Sequence, residues 1–124
     1  MALKKMMLNI NGVERMVICD PEADTLADVV RRLGLTGTKV GCRVGQCGIC
    51  SVILDGKVVR SCVKKMKTIK DGSEITTIEG IGTPTNLHPL QLAWIIHGGV
   101  QCGFCSPGFI VSAKALLDTN PNPT

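Results

Sequence analysis

Cys42, Cys47, Cys50 and Cys62 stand in the order C-x4-C-x2-C-x11-C, with Gly41, Gly45 and Gly48 threaded among the first three. This spacing asks for a [2Fe–2S] cluster, in which four thiolates converge on one small inorganic core. A loop that supplies three of them has to bend past that core. Glycine reaches φ > 0 and lets backbone approach closely, and the same bends aim N–H groups at sulfur, where they offset negative charge. Structural zinc is the main rival for these four cysteines, but zinc sites usually arrive as paired C-x2-C knuckles without interleaved glycines.

The chain has 124 residues, 44% apolar and 19% charged, which suits one ordinary domain or two very small ones. Its aromatic residues are Trp94, Phe104 and Phe109, with no tyrosine. No stacking platform for single strands is available, and nucleic acid is not expected as a partner. The formal charge of +4 draws on Lys4, Lys5, Arg15, Arg31, Arg32 and the run Lys64, Lys65, Lys67, Lys70. Solvated faces explain these more simply than a docking patch. After Lys4 and Lys5 the apolar run is interrupted by Asn9 and Asn11, too soon for a signal peptide. The longest apolar stretch, Leu90 to Ile96, is too short for a membrane span. Seven cysteines without a secretion signal argue for metal rather than disulfides. A reducing, cytoplasmic location is the expectation.

The pattern divides between Gly80 and Pro84, giving an expected domain over 1–80 and another over 84–124. In the first, Leu3 to Ile10 and Val13 to Cys19 are β-rich runs joined by Asn11-Gly12, a strong hairpin signal. A short helix follows, capped by Asp24 or Thr25, with Leu26, Val29, Val30 and Leu33 at helical spacing before Gly34. The cysteine loop runs from Thr38 to Cys50. Ser51 to Leu54, Asp55-Gly56 and Lys57 to Cys62 form a second hairpin, and Glu74 to Ile78 a last strand. These elements predict an α+β fold, a small mixed sheet wrapped on one helix.

Beyond Pro84 the period becomes helical. Pro89 suits a first turn, and Leu90, Leu92, Ala93, Trp94, Ile95 and Ile96 make that helix apolar nearly all round. Gly98-Gly99 stops it. Ser106-Pro107 restarts a helix as N-cap and N1, with Phe109, Ile110, Ala113, Leu116 and Leu117 on one stripe. Residues 118–124 read as a linker or frayed end. Cys102 and Cys105 sit at the bend of this helical hairpin, and their C-x2-C spacing is open to a redox dithiol, zinc or buried free thiols. Cys19 reads as a small core residue, and Met6, Met7, Met16 and Met66 as fillers. His88 and His97 have no ligand spacing with the cysteines. No nucleophile, general base or phosphate-cradling motif is present, so no catalytic residue is expected.

The segments GCRVGQCGIC, TTIEGIG, NLHPLQLAW and GGVQCGFCSPGFIVSAKALL together resemble the iron–sulfur portion of the molybdenum hydroxylases, in particular of bacterial aldehyde oxidoreductases. The resemblance covers essentially the whole chain. It implies a ferredoxin-like β-grasp domain in which Cys42, Cys47, Cys50 and Cys62 hold a [2Fe–2S] cluster. It implies next two helices of a four-helix bundle, where Cys102 and Cys105 are two of the four ligands of a second cluster. Gln101 and Cys102 are implied to face a molybdopterin cytosine dinucleotide held mainly by another domain or subunit. The partner ligands in that family form a CxC pair on a later helix, so the chain is expected to be C-terminally truncated. The implied role is one-electron transfer from a molybdopterin site to an external acceptor such as a flavin protein. Two other readings stay open: a freestanding ferredoxin-like carrier using the first four cysteines alone, and a zinc-binding interaction module without redox activity.

Overall fold

The computed structural model describes residues 3–122. Strands β1 (Lys4–Ile10) and β2 (Val13–Cys19) form an antiparallel hairpin through Asn11-Gly12. Strands β3 (Ser51–Leu54) and β4 (Lys57–Arg60) do the same through Asp55-Gly56. Both residues of each turn take positive φ, the backbone twist that two-residue hairpins need. Strand β5 (Glu74–Thr76) joins the hairpins, parallel to β1 and antiparallel to β3, so the sheet order is β2-β1-β5-β3-β4. It stops short of the expected Ile78, because Ile78–Gly80 turns into a 3-10 helix and Thr77 is tied to the Asn11 side chain.

Helix α1 (Leu26–Arg32) lies across one face of the sheet. Thr25 rather than Asp24 is its cap: the Thr25 hydroxyl accepts from the Asp28 N–H and the Asp28 carboxylate accepts from the Thr25 N–H. Asp24 accepts from the Asp20 N–H and pairs with Arg32 at 2.8 Å. The core beneath is apolar and closed, formed by Met6, Leu8, Ile10, Val17 and Cys19 of the first hairpin with Leu26, Val29, Val30, Val52, Met66 and Ile75. Cys19 is a core residue as expected, and of the methionine fillers Met6 and Met66 are buried while Met16 lies exposed on the outer face of edge strand β2.

Helices α2 (Pro89–Ile96) and α3 (Ser106–Thr119) follow, and α3 packs on the opposite face of the sheet. Alternation along β3 serves both layers, Val52 facing the α1 core and Ile53 the α3 side with Ile110, Val111 and Ala115. Two expectations about α3 need correction. Its N-cap is Cys105 and Ser106 is already helical, the Ser106 hydroxyl being occupied as acceptor for the Trp94 indole N–H at 2.9 Å. Its buried face is Gly108, Ile110, Val111 and Ala115, whereas Phe109 and Leu116 point outward. No residue of α2 is buried, and Leu92, Ile95 and Ile96 are exposed. Among the described residues no helix is long and apolar enough to cross a membrane.

Candidate metal centre

The cysteine loop between α1 and β3 is held from both ends. On the α1 side, Arg31 donates to the Thr36 and Thr38 carbonyls at 3.1 and 2.8 Å. On the β3 side, the Ser51 N–H and hydroxyl both donate to the Gly48 carbonyl. Arg60 reaches across from β4 to the Ser51 hydroxyl and the Gly45 carbonyl. Cys62 is fixed next to the loop because Ser61 donates through its N–H and hydroxyl to the Cys50 carbonyl, while the Ser61 carbonyl accepts from the Ala27 N–H of α1.

Within that frame the loop winds on itself. Arg43, Gly45 and Gly48 all have positive φ, at 57°, 82° and 76°. Gly41 is not among the positive-φ glycines and serves the close approach instead: a Cβ there would lie 2.7 Å from the end of the Ile49 side chain and 3.1 Å from the Cys47 sulfur. The winding points the N–H groups of Val44, Gln46 and Cys47 at Cys42 Sγ, at 3.4, 3.3 and 3.3 Å. Three donors on one sulfur favour its thiolate, and the Cys47 N–H, then the Val44 N–H, draw the Cys42 pKa down to about 6.

Cys50 and Cys62 are buried together against Ala27 and Val40. Burial pushes the Cys62 thiol up, and a hydrogen bond with the Cys50 side chain adds to that, while the Gly45 N–H acts the other way. Side-chain hydrogen bonds pair Cys42 with Cys47 and Cys50 with Cys62, and Cys62 also feels the charge of Cys42, so an outer pair adjoins a buried one. This donor set fits an anionic cluster. The sulfurs are soft ligands, a backbone N–H already serves each of two of them, and a side chain at Gly41 would crowd the Cys47 sulfur. Among the described residues no three Cys, His, Asp or Glu side chains converge at the spacing of a single ion. A two-iron core does not ask for that, since its four thiolates divide between two irons.

Gln101, Cys102 and Cys105 lie in the irregular turn between α2 and α3. Gln101 and Cys102 are exposed and Cys105 is half-buried at the start of α3. The two cysteine groups meet at one cleft of about 190 Å³, lined by Cys47, Gly48, Ile49 and Arg60 on one side and Cys105, Gly108 and Phe109 on the other. His88 has a role that the residue spacing did not reveal: its Nδ1 accepts from the Leu90 N–H and caps α2. Arg60 and Ser51 were also missed as loop anchors. The signal was present, because a two-residue turn at Asp55-Gly56 fixes the register and counting outward from it puts Arg60 opposite Ser51.

The pattern of the 2Fe-2S iron-sulfur cluster binding domain family matches residues 8–77, and that of the [2Fe-2S] binding domain family matches residues 77–124. The nicotinate dehydrogenase small FeS subunit of Eubacterium barkeri is 43% identical over 94% of this chain and 74% of its own length. This chain belongs to the [2Fe-2S] iron–sulfur family of the molybdenum hydroxylases. Another relative is the aldehyde oxidoreductase of Megalodesulfovibrio gigas, 68% identical over 94% of the chain but only 13% of that protein. The solved aldehyde oxidoreductase from Desulfovibrio gigas superposes with a TM-score of 0.94 at 66% identity, covering 98% of this chain and 13% of that one. The fold is thus the ferredoxin-like β-grasp [2Fe–2S] arrangement followed by a helical part, as expected. The chain spans about half or less of the length of several of the relatives it matches.

Proposed function

We propose that this chain carries electrons one at a time away from a molybdopterin site, as the iron–sulfur part of an aldehyde- or heterocycle-oxidising molybdenum hydroxylase. In this reading residues 1–80 form the domain whose Cys42, Cys47, Cys50 and Cys62 hold a [2Fe–2S] cluster. Residues 84–124 form part of a second domain, in which Cys102 and Cys105 supply two of four ligands to another. A bound cluster of this kind accepts and releases single electrons. The chain's own contribution is positional and electrostatic: N–H groups fixed by the loop compensate sulfur charge at Cys42, and the buried pair Cys50 and Cys62 anchors the site to α1 and β3.

The observation that carries this reading is the shared cleft between Cys47 and Cys105, on a chain whose relatives are named as iron–sulfur subunits of oxidoreductases. The outer loop, with Cys47 exposed, suits an external acceptor such as a flavin protein. Gln101 and Cys102, exposed at the far turn, suit the pterin of a molybdopterin cytosine dinucleotide on a partner domain or subunit. The test is iron and sulfide analysis with electron paramagnetic resonance on the native holoprotein, wild type and Cys50→Ser and Cys105→Ser variants. Iron at about four per chain, with each variant losing a different signal, is the expected outcome. Iron at about two, lost entirely in Cys50→Ser and unchanged in Cys105→Ser, would instead establish a single-cluster carrier.

A further inference from the structure

The contact that joins the two cysteine groups is made of backbone. Gly108 lies three residues after Cys105 on α3, and it faces the Gly48–Ile49 segment that links Cys47 to Cys50. A Cβ built at Gly108 would stand 2.7 Å from Ile49 Cα, 2.9 Å from the Gly48 carbonyl oxygen and 2.9 Å from the Ile49 carbonyl oxygen. All three are main-chain atoms, which have no rotamer by which to retreat. Gly48 also has its carbonyl held by Ser51, with the Arg60 side chain close by, so the loop side of the contact is itself braced. One turn further along, Ser112 lines the same cleft. On the adjoining face Ile110, Val111 and Ala115 bury α3 on the sheet, so the helix is anchored along its middle and gauged near its start by a residue without a side chain.

We propose that Gly108 is a positioning residue that sets the separation between the Cys47–Cys50 loop and the Cys102–Cys105 turn, and thereby the passage of electrons between them. The proposal rests on the two-site reading above. With a cluster bound at each cysteine group, that separation would govern the exchange of one electron between them, one iron pair being oxidised as the other is reduced with no bond made or broken. The electron would come from substrate oxidation at the molybdenum site and leave to an external one-electron acceptor. Any residue larger than glycine has to lift the start of α3 from the loop or distort the loop, and in either case Cys105 moves relative to Cys47.

The test is Gly108→Ala in the native holoprotein, read by the magnetic interaction between the two reduced clusters in electron paramagnetic resonance and by the rate of intersite electron transfer. Ser112→Val adds bulk to the same cleft without touching Gly108, and it is the second arm if Gly108→Ala fails to load iron. Lys114→Ala breaks the Lys114–Asp118 ion pair on α3 away from the cleft and is the control. The expected result is full iron content in Gly108→Ala or Ser112→Val, with a weakened interaction and several-fold slower transfer, while Lys114→Ala leaves both as in the wild type. Wild-type interaction and rate in an iron-loaded Gly108→Ala and Ser112→Val would overturn the proposal, as would an equal loss in Lys114→Ala. Iron at about two per chain in the wild type overturns the two-site reading and the proposal together. Iron at about four with unchanged coupling overturns the proposal alone.

Discussion

Arg43 has φ 57°, a conformation that few residues other than glycine adopt, inside the loop that carries three of the cysteines. Its guanidinium reaches Asp28 of α1 at 3.8 Å, which draws part of its charge away from the loop. What remains of that charge favours added negative charge on the neighbouring site and so raises its reduction potential. Arg43→Gln is expected to lower the midpoint by on the order of 20–60 mV, and Arg43→Glu by more, in a redox titration. An unchanged or higher midpoint refutes the assignment. Cys42 offers a second test in the iron-free protein. Three N–H donors hold its pKa at about 6, below the ordinary thiol value, so the thiolate prevails above that pH and is lost below it. Iodoacetamide labelling at Cys42 should rise between roughly pH 5 and pH 7 and then level off. Cys62, pushed up by burial, should lag until well above neutral pH. Mass-mapped labelling that shows both cysteines reacting in parallel would discard this account.

Asp24 and Thr25 share the work at the start of α1. Thr25 closes the capping box, and Asp24 ties Arg32 in the last turn back to the Asp20 segment. The Arg32 hydrogen bond, then the Asp20 N–H, hold the Asp24 carboxyl below its usual range. A depressed carboxylate stabilises the fold above its unfolded pKa of about 4, and that stabilisation is lost as pH falls through the folded value. Asp24→Asn should therefore cost about 1 kcal/mol at pH 7, discounted because Arg32 is exposed, and the gap to wild type should close at an acid pH below the ordinary carboxylate range. Urea denaturation at both pH values measures it, and a gap of constant size contradicts the ion-pair account. Sequence pattern predicted both hairpins, this helix and the cysteine loop, because turn dipeptides and ligand spacing are local chemistry. It misplaced the buried stripe of α3, since an apolar helix turns to the sheet whichever face the small residues Gly108 and Ala115 allow. That choice depends on β3 and the loop backbone, which lie about 60 residues away along the chain.

At the scale of the whole molecule, the sheet is covered by α1 on one face and α3 on the other, and each cover brings one cysteine group with it. Helix α2 stands outside this arrangement. It is eight residues long, none of them buried, and its ties include the His88 and Gln91 capping box, half-buried Leu90 and Trp94 against the Ile81, Ile110 and Val111 cluster, the Trp94–Ser106 hydrogen bond and a Trp94–Phe109 stack with ring centroids 5.5 Å apart. Isolated helices of that length are marginal in water, and tertiary packing normally makes up the difference. Local stability follows buried apolar contact, so opening should be graded across this polypeptide. In hydrogen exchange of the 124-residue chain, the α2 amides from Ala93 to Ile96 should exchange orders of magnitude faster than those of β1 and β3, with α3 between them. Trp94→Ala, which removes both the stack and the hydrogen bond to Ser106, should release α2 further while leaving β1 protection unchanged. If α2 were instead protected as well as β1, its stability would have to come from within the helix rather than from packing, and the apolar residues Leu92, Ile95 and Ile96 on its exposed surface would need another explanation.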